Sequence, residues 1–498
     1  MSSQTIDVPA LAARDEGRRR WLALAVVVAA QFMVVLDVAI VNVALPSIRT
    51  DLHFTQESLQ WVVTAYAILF GGALLLGGRI ADLLGRRRLF MAGLVLFTGS
   101  SLLDGLAWSE GSLIGFRALQ GLGAALLSPA ALSILTTTFR EGRERNIALG
   151  VWGAASGSGG AAGVLLGGLL TSSLGWSWIF FINLPVGALL FLLAPVILRE
   201  SRADLGHRHF DAAGAASITG GLMVLVYAMT RATQHGWGSA STIGLLAASA
   251  VLLAAFVVVE LRSHAPLLPM RIFRLRTLAV SNVTQLLVAA SLFSQFFLLT
   301  LYMQEVLHYS ALKTGVAYIA LTLSIILFSN VAQALVTRVG IRPVLPVGLV
   351  MAAAALVLYG RLPVHGHYFW DLFPAFLLSG VGLAFSFVPM VIGGLTGVEQ
   401  ADAGVASGLF TTSQQIGGAI GVAAATTIAT TFTTRWVDVH PGTNALSGGA
   451  LTHGFEITFY VLAALIALAA VIAAAFVESR PRAQQEEPVE AALALEAA

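Results

Sequence analysis

From Trp21 to Val477 the chain alternates long apolar runs with short polar breaks that carry most of its arginines. In hydrocarbon a backbone must satisfy its own hydrogen bonds, so a single span is a helix of about 20 predominantly apolar residues. That ruler predicts fourteen spanning helices. They start near Trp21, Ser58, Leu89, Gly111, Asn146, Trp178 and Asp211, then near Thr242, Arg276, Ala311, Ile341, Asp371, Ala403 and Phe455. The first apolar run is about 25 residues long, longer than a secretory h-region and without a cleavage site, so it is expected to stay as a helix. The segment from Glu478, with Pro481, Gln484 and Glu486, is polar and acidic and reads as a disordered tail.

Composition agrees with this pattern. Apolar residues make up 57% of the 498 and charged ones 11%, with a mean hydropathy of +0.84. A soluble domain carries about a quarter charged residues, so the chain reads as an all-α polytopic membrane protein with the lipid bilayer as its partner. The absence of cysteine excludes disulfides, thiolate metal sites and cysteine nucleophiles. Lys313, the only lysine, follows Leu312, so there is no phosphate-binding Gly-Lys-Ser/Thr and no ATP hydrolysis is expected. His207/His209 and His365/His367 lack further ligands and read as solvated loop residues. No metal, cofactor or nucleic acid is expected.

Orientation follows from the arginines, which are retained on the cytoplasmic side. With the amino terminus inside, 22 basic residues fall in inside segments and 5 outside, leaving Arg117 within a span. A missed helix would scramble that alternation, so both termini are expected in the cytoplasm. Trp21, Trp108, Trp176 and Trp370 fall near predicted helix ends, as an interfacial aromatic belt requires.

The chain also repeats itself. The loop Gly78-Arg-Ile-Ala-Asp82-Leu-Leu-Gly85-Arg86-Arg87-Arg88 is echoed by Thr337-Arg-Val-Gly340-Ile-Arg342, with threonine for aspartate. Two related halves around a central helix pair are the mark of a secondary transporter that binds its substrate between them. The predicted division is a cytoplasmic segment at 1–20, a six-helix bundle at 21–200, a two-helix insertion at 201–270, a second six-helix bundle at 271–478 and the tail at 479–498.

Several motifs resemble the major facilitator superfamily, and within it the fourteen-span drug:proton antiporters. Gly77 to Leu89 resembles the superfamily's signature loop. Asp37-Val-Ala-Ile-Val-Asn42 through Pro46 resembles the first-span motif, and Arg117-Ala-Leu-Gln120-Gly121 the fourth-span motif. Trp178 to Gly187, and Gly404 through Gly418, are similarly familiar. The resemblance implies the major facilitator fold and proton-driven efflux of drugs or lipophilic small molecules. It marks Asp37, Arg117, Gln120 and Asn42 for coupling and substrate binding, and Gly78, Asp82, Gly85, Arg86 and Arg87 for gating. The fifth span departs from the antiporter pattern: Gly163-Val164-Leu-Leu-Gly167-Gly168 has valine where the family places the proline that would kink the helix.

The residues support these roles on their own terms. A carboxylate inside a span is costly and normally faces a partner or a pathway, which singles out Asp37. Measured along the helices, Asp37 lies about 14 Å below the outer end of its span and Arg117 about 9 Å below the start of its own. A guanidinium arm closes that gap, which makes Arg117 the expected partner of Asp37. Gln120 and Gly121 share its face. Gly153/Gly157, Gly159/Gly163 and Gly163/Gly167 are four apart, the spacing of close helix packing and not of a dinucleotide loop. Gln60, Trp61, Tyr66, Gln285, Gln295, Asn330 and Gln414 are candidates for a central cavity.

The expected protein is therefore a proton-coupled efflux transporter, working as a monomer in a bacterial cell membrane. A facilitator or exporter of one metabolite or lipid is the alternative, and a polytopic membrane enzyme a remote one.

Overall fold

The structure, a computed structural model, describes residues 8–202, 211–263, 266–440 and 442–478. The tail at 479–498 and the His207/His209 pair lie outside the described residues. Among the described residues every regular element is helical. Fourteen long helices fall on the fourteen predicted runs. They are α1 (Val8–Asp51), α2 (Trp61–Leu84), α3 (Arg86–Gly105), α4 (Glu110–Thr138), α5 (Arg143–Ser173), α6 (Asn183–Ile197) and α7 (Ala212–His235). After α8 (Ala240–Arg262) come α9 (Arg276–Leu301), α10 (Ile319–Val339), α11 (Ile341–Tyr359), α12 (Phe373–Gly394), α13 (Ala403–Val439) and α14 (Gly448–Phe476).

Among the described residues, thirteen segments are apolar and long enough to cross a bilayer on their own composition, α6 only together with the turn that precedes it, as Trp178–Ile197. The exception is α3, whose three arginines at one end and Thr98, Ser100, Ser101 and Asp104 at the other dilute its apolar content. It is held by packing between α2, α4 and α6.

Helix ends follow local chemistry. Ser109 and Ser112 form a reciprocal capping box at the start of α4. Asp211, Ser239 and Ser447 accept backbone N–H groups at the starts of α7, α8 and α14. The repeated loops end their helices alike: Gly85 (φ 113°) closes α2 and Gly340 (φ 86°) closes α10, a left-handed conformation that glycine adopts without strain.

Within the first half, α1 packs on α4, α5 and α6, and α2 and α3 pack on α4. In the second half, α9 packs on α12, α13 and α14, and α11 packs on α12 and α14. The halves meet along two seams, α2 against α13 and α5 against α10 and α12. The insertion is not peripheral to both. Helix α7 lies against α2 and α13 together, with α8 outside it. Its Tyr227 ring meets Trp61 of α2 at 5.6 Å, and Trp237, just beyond α7, donates from Nε1 to Thr427 Oγ1 of α13 at 2.8 Å.

Because α4 is 29 residues long, its ends stand about 44 Å apart at 1.5 Å per residue, on opposite sides of any bilayer. In this cysteine-free chain, single cysteines at Trp108 and Arg140 are expected to react with a membrane-impermeant maleimide from opposite sides. Labelling of both from one side of sealed vesicles would overturn the register.

Candidate functional site: a buried ion pair and two latches

Asp37 sits in the apolar part of α1, about 24 Å from Trp21 and 21 Å from Asp51 along the axis. It is fully buried, and so is Arg117 of α4. Arg117 Nη1 donates to Asp37 Oδ2 at 2.7 Å, and Nε donates to the Val62 carbonyl at 3.1 Å. Nη1 also bonds Gln120 Oε1, one turn along the same helix. Gln120 Nε2 and Asn183 Nδ2 each donate to Asp37 Oδ1 at 2.9 Å. Asn183 continues to Ser101 Oγ at 3.0 Å, which donates to the Phe180 carbonyl at 2.9 Å. The guanidinium carbon lies 4.3 Å from the centre of the Tyr66 ring.

Two ions removed from water lose several kcal/mol of hydration each, regained only when charge and lone pairs are well matched. Here the carboxylate accepts from three donors and the guanidinium faces a carboxylate, an amide oxygen, a backbone carbonyl and a ring. The pair is therefore stable while undisturbed.

Of the sequence candidates, Asp37, Arg117 and Gln120 come together. Asn42 does not: its amide is exposed and bonds Val38 O of its own helix at 2.9 Å. Asn183 and Ser101 complete the hydrogen-bonded cluster, and Asp104 is buried one turn beyond Ser101 on α3. Asn183 belongs to a quoted motif, but as a lone asparagine it names no partner. Asp104 reads from sequence as the end of an apolar run.

Beside this cluster lies a cavity of about 650 Å³, walled by Val28, Phe32 and Leu36 of α1, Val151, Ala155 and Ser158 of α5, Val186 of α6 and Ile326 of α10. Its walls are almost wholly apolar, and Asn183 lines it. The polar cluster is thus one side chain away from an apolar recess that is open on one side, where Val186 and Ile326 are exposed.

The glycines of α5 divide between two faces. Gly153 and Gly157 face Val388 and Ile325 of the second half, whereas Gly163 and Gly167 face Leu36 and Ile40 on either side of Asp37. At Gly163 a Cβ would stand 2.8 Å from Leu36 O, so only glycine allows α5 to lie this close to the site. Gly168 is buried beside them. Helix α5 runs unbroken past Val164 with no proline inside it.

The arginine-rich face carries two latches across the halves. Asp82 accepts from the N–H groups of Gly404 (3.1 Å) and Val405 (3.2 Å) at the start of α13. The positive end of that helix thereby receives a carboxylate from the opposite half. Arg86 holds Asp82 Oδ1 at 2.7 Å and donates to Gln400 O at 2.5 Å. Gly78 lets the backbones touch, since a Cβ there would overlap the Gly404 carbonyl. Gly85 turns the chain so that the N–H groups of Arg87 and Arg88 reach the Glu200 carboxylate, each at 3.2 Å. Beyond it, Arg145 donates to Leu395 O at 2.8 Å and Glu141 accepts from Gly397 N at 3.0 Å.

Residues 27–422 match the Major Facilitator Superfamily. The chain belongs to that family. It is therefore a multi-pass membrane transporter and not an enzyme. It is 39% identical over 484 residues to the puromycin resistance protein pur8 of Streptomyces alboniger, covering 97% of this chain and 96% of that protein. It is 40% identical to the cephamycin export protein CmcT of Amycolatopsis lactamdurans, covering 82% and 84%. Among solved structures, the human organic anion transporter MFSD10 superposes with a TM-score of 0.63 at 16% identity, covering 92% of this chain and 99% of that one. That likeness concerns the fold.

Two outcomes follow for this superfamily member. Arg117→Gln strands a buried carboxylate and is expected to cost about 3–5 kcal/mol of unfolding free energy in detergent. Adding Asp37→Asn recovers part of that loss, and strictly additive losses would disprove the coupling. Separately, a cysteine pair at Asn146 and Thr337, whose side chains bond at 3.3 Å, reports closure of the arginine-rich face. Asp82→Asn should lower its cross-linking severalfold, as loss of a charged cap worth about 1–2 kcal/mol requires; an unchanged yield would remove Asp82 from the latch.

Proposed function

We propose that this chain is a proton-coupled exporter of hydrophobic or cationic small molecules, antibiotics among them. The observation that carries the reading is the buried Asp37–Arg117 pair, joined through Asn183 to the wall of an apolar cavity. An apolar chamber with one convergent polar group suits a lipophilic solute, and an exchangeable ion pair beside it suits a proton. Protonation of Asp37 frees Arg117 and loosens α1 from α4 and α6, whereas deprotonation restores the cluster. Exchange of the bound species then alternates with opening of one face and closure of the other.

The latches at Asp82, Arg86 and Arg145 close the arginine-rich face, which the distribution of basic residues makes cytoplasmic. In this reading the described conformation is shut toward the cytoplasm, both termini lie inside, and the protein works as a monomer in a bacterial plasma membrane. Residues 21–200 and 271–478 are the two moving bundles, and 201–270 the insertion. Neither ATP nor a cofactor takes part. The names of the resistance and export relatives point the substrate class toward natural-product antibiotics such as puromycin.

Inside-out vesicles with an imposed acid interior and a pH-quenched dye test this. Puromycin, lipophilic cations and neutral drugs are expected to restore fluorescence with the natural chain and not with Asp37→Asn. Recovery with both would return Asp37 to a packing role. Silence across the panel would sink the drug-exporter reading.

A further inference from the structure

A second carboxylate is buried one helix turn from Ser101, a member of the chain of bonds to Asp37, and the exchange described above makes no use of it. Asp104 lies in the last turn of α3, on the face opposite the arginine-rich loops. It is fully buried, and neither of its oxygens has a hydrogen-bond donor. One turn earlier on the same helix is Ser101, already bonded to Asn183 and so to Asp37. The titratable groups whose charge bears on Asp104 are Arg117 from α4, Asp37 from α1 and Tyr66 from α2. Tyr66 also leaves its hydroxyl without a partner. From α6 and the turn before it come only neutral groups, Asn183 and, against Gly105, Phe181.

The cluster thus contains two carboxylates and one guanidinium. Arg117 is committed to Asp37 by a 2.7 Å bond. An ionised Asp104 would be a buried charge with no donor to replace water, which proteins avoid by binding a proton. We propose that Asp104 is a second proton-carrying residue and that Arg117 is shared between the two carboxylates, pairing with one while the proton sits on the other. The step balances: an O–H bond breaks on Asp104, an O–H bond forms on Asp37, and Arg117 moves from Asp37 to Asp104. No net charge is created. Because Asp104 stands nearer the face opposite the latches, it is the first of the two to receive a proton from that side.

This inference rests on the proton-exchange reading, and the experiment separates the two. In the natural full-length chain, dicyclohexylcarbodiimide, which attacks protonated carboxyls in apolar surroundings, is expected to modify Asp104 and to spare Asp37, as read by peptide mass spectrometry. Absence of an Asp104 adduct from acid to neutral pH overturns the proposal without any transport assay. In reconstituted vesicles with tetraphenylphosphonium as probe, Asp104→Asn is expected to cut gradient-driven movement at least about tenfold and leave counterflow within about twofold, with Asp104→Glu restoring coupling. Coupling at the natural level in Asp104→Asn overturns the role of Asp104 alone. If the natural chain itself moves probe without protons, the coupling reading fails with it. A loss of counterflow in Asp104→Asn that Asp104→Glu also shows makes Asp104 structural and overturns the proposal.

Discussion

A guanidinium and a carboxylate buried within apolar spans set the terms for the first half of this molecule. Either ion alone is intolerable there, and the pair is tolerable only if every donor and lone pair finds a partner. That requirement explains why residues from five segments converge on one point. Helix α1 brings Asp37, α2 the Val62 carbonyl and the Tyr66 ring, and α3 brings Ser101. Arg117 and Gln120 come from α4, and Asn183 from the start of α6. Close approach follows from the same need. Gly121 brings the α2 backbone against α4, and Gly163 brings α5 against the turn that carries Asp37. A side chain at either position would push a helix outward and leave a hydrogen bond unmade.

The latches obey a related rule at the helix ends. Asp402 directly precedes helix α13 in the capping position, yet its side chain caps nothing and is held by Arg271 at 2.9 Å. The cap comes instead from Asp82, across the seam. Helix α3 begins at Gly85 with no side chain to offer, and Glu200 supplies its carboxylate from the end of the first bundle. Two helix starts are thus completed by residues distant in sequence. Separation of the halves at this face leaves the first N–H groups of α13 without their acceptor, which makes closure there an electrostatic state of α13 as well as a packing one.

Much of this was legible in the sequence, for reasons that differ by residue. The spans are legible because hydrocarbon imposes a length and a composition at once. Asp37 and Arg117 stand out because charges inside spans are rare, and axial distance together with the motifs they resemble matched them. The signature loop was legible to the extent that Asp82 is a carboxylate among arginines; its partners, two backbone N–H groups more than 300 residues away, carry no side-chain signal. Asn183 and Ser101 escaped because a neutral polar residue in a span bonds its own helix as readily as a neighbour. Asn42 shows that alternative realised, bonding back to Val38 while Asn183 fills the place beside Asp37. Asp104 escaped because it lies one residue from the end of its helix, where a carboxylate normally meets water.

The insertion makes the two seams between the halves unequal. On one, α7 lies against α2, with Tyr227 on Trp61 and Met223 filling the space over Gly72, and Trp237 just beyond it bonds Thr427 of α13. Opening between α2 and α13 therefore has to displace or carry a whole helix pair. On the other seam, α5 faces α10 and α12 through Gly153 and Gly157, with no inserted helix, and the apolar cavity that reaches Asn183 has Ile326 of α10 in its wall. A lipophilic molecule in the bilayer thus meets one seam sealed by protein and one lined with small residues beside the cavity. The same helix, α5, forms that seam with one set of glycines and backs Asp37 with another. Packing of α5 against the second half is therefore linked through one helix to the turn that carries Asp37.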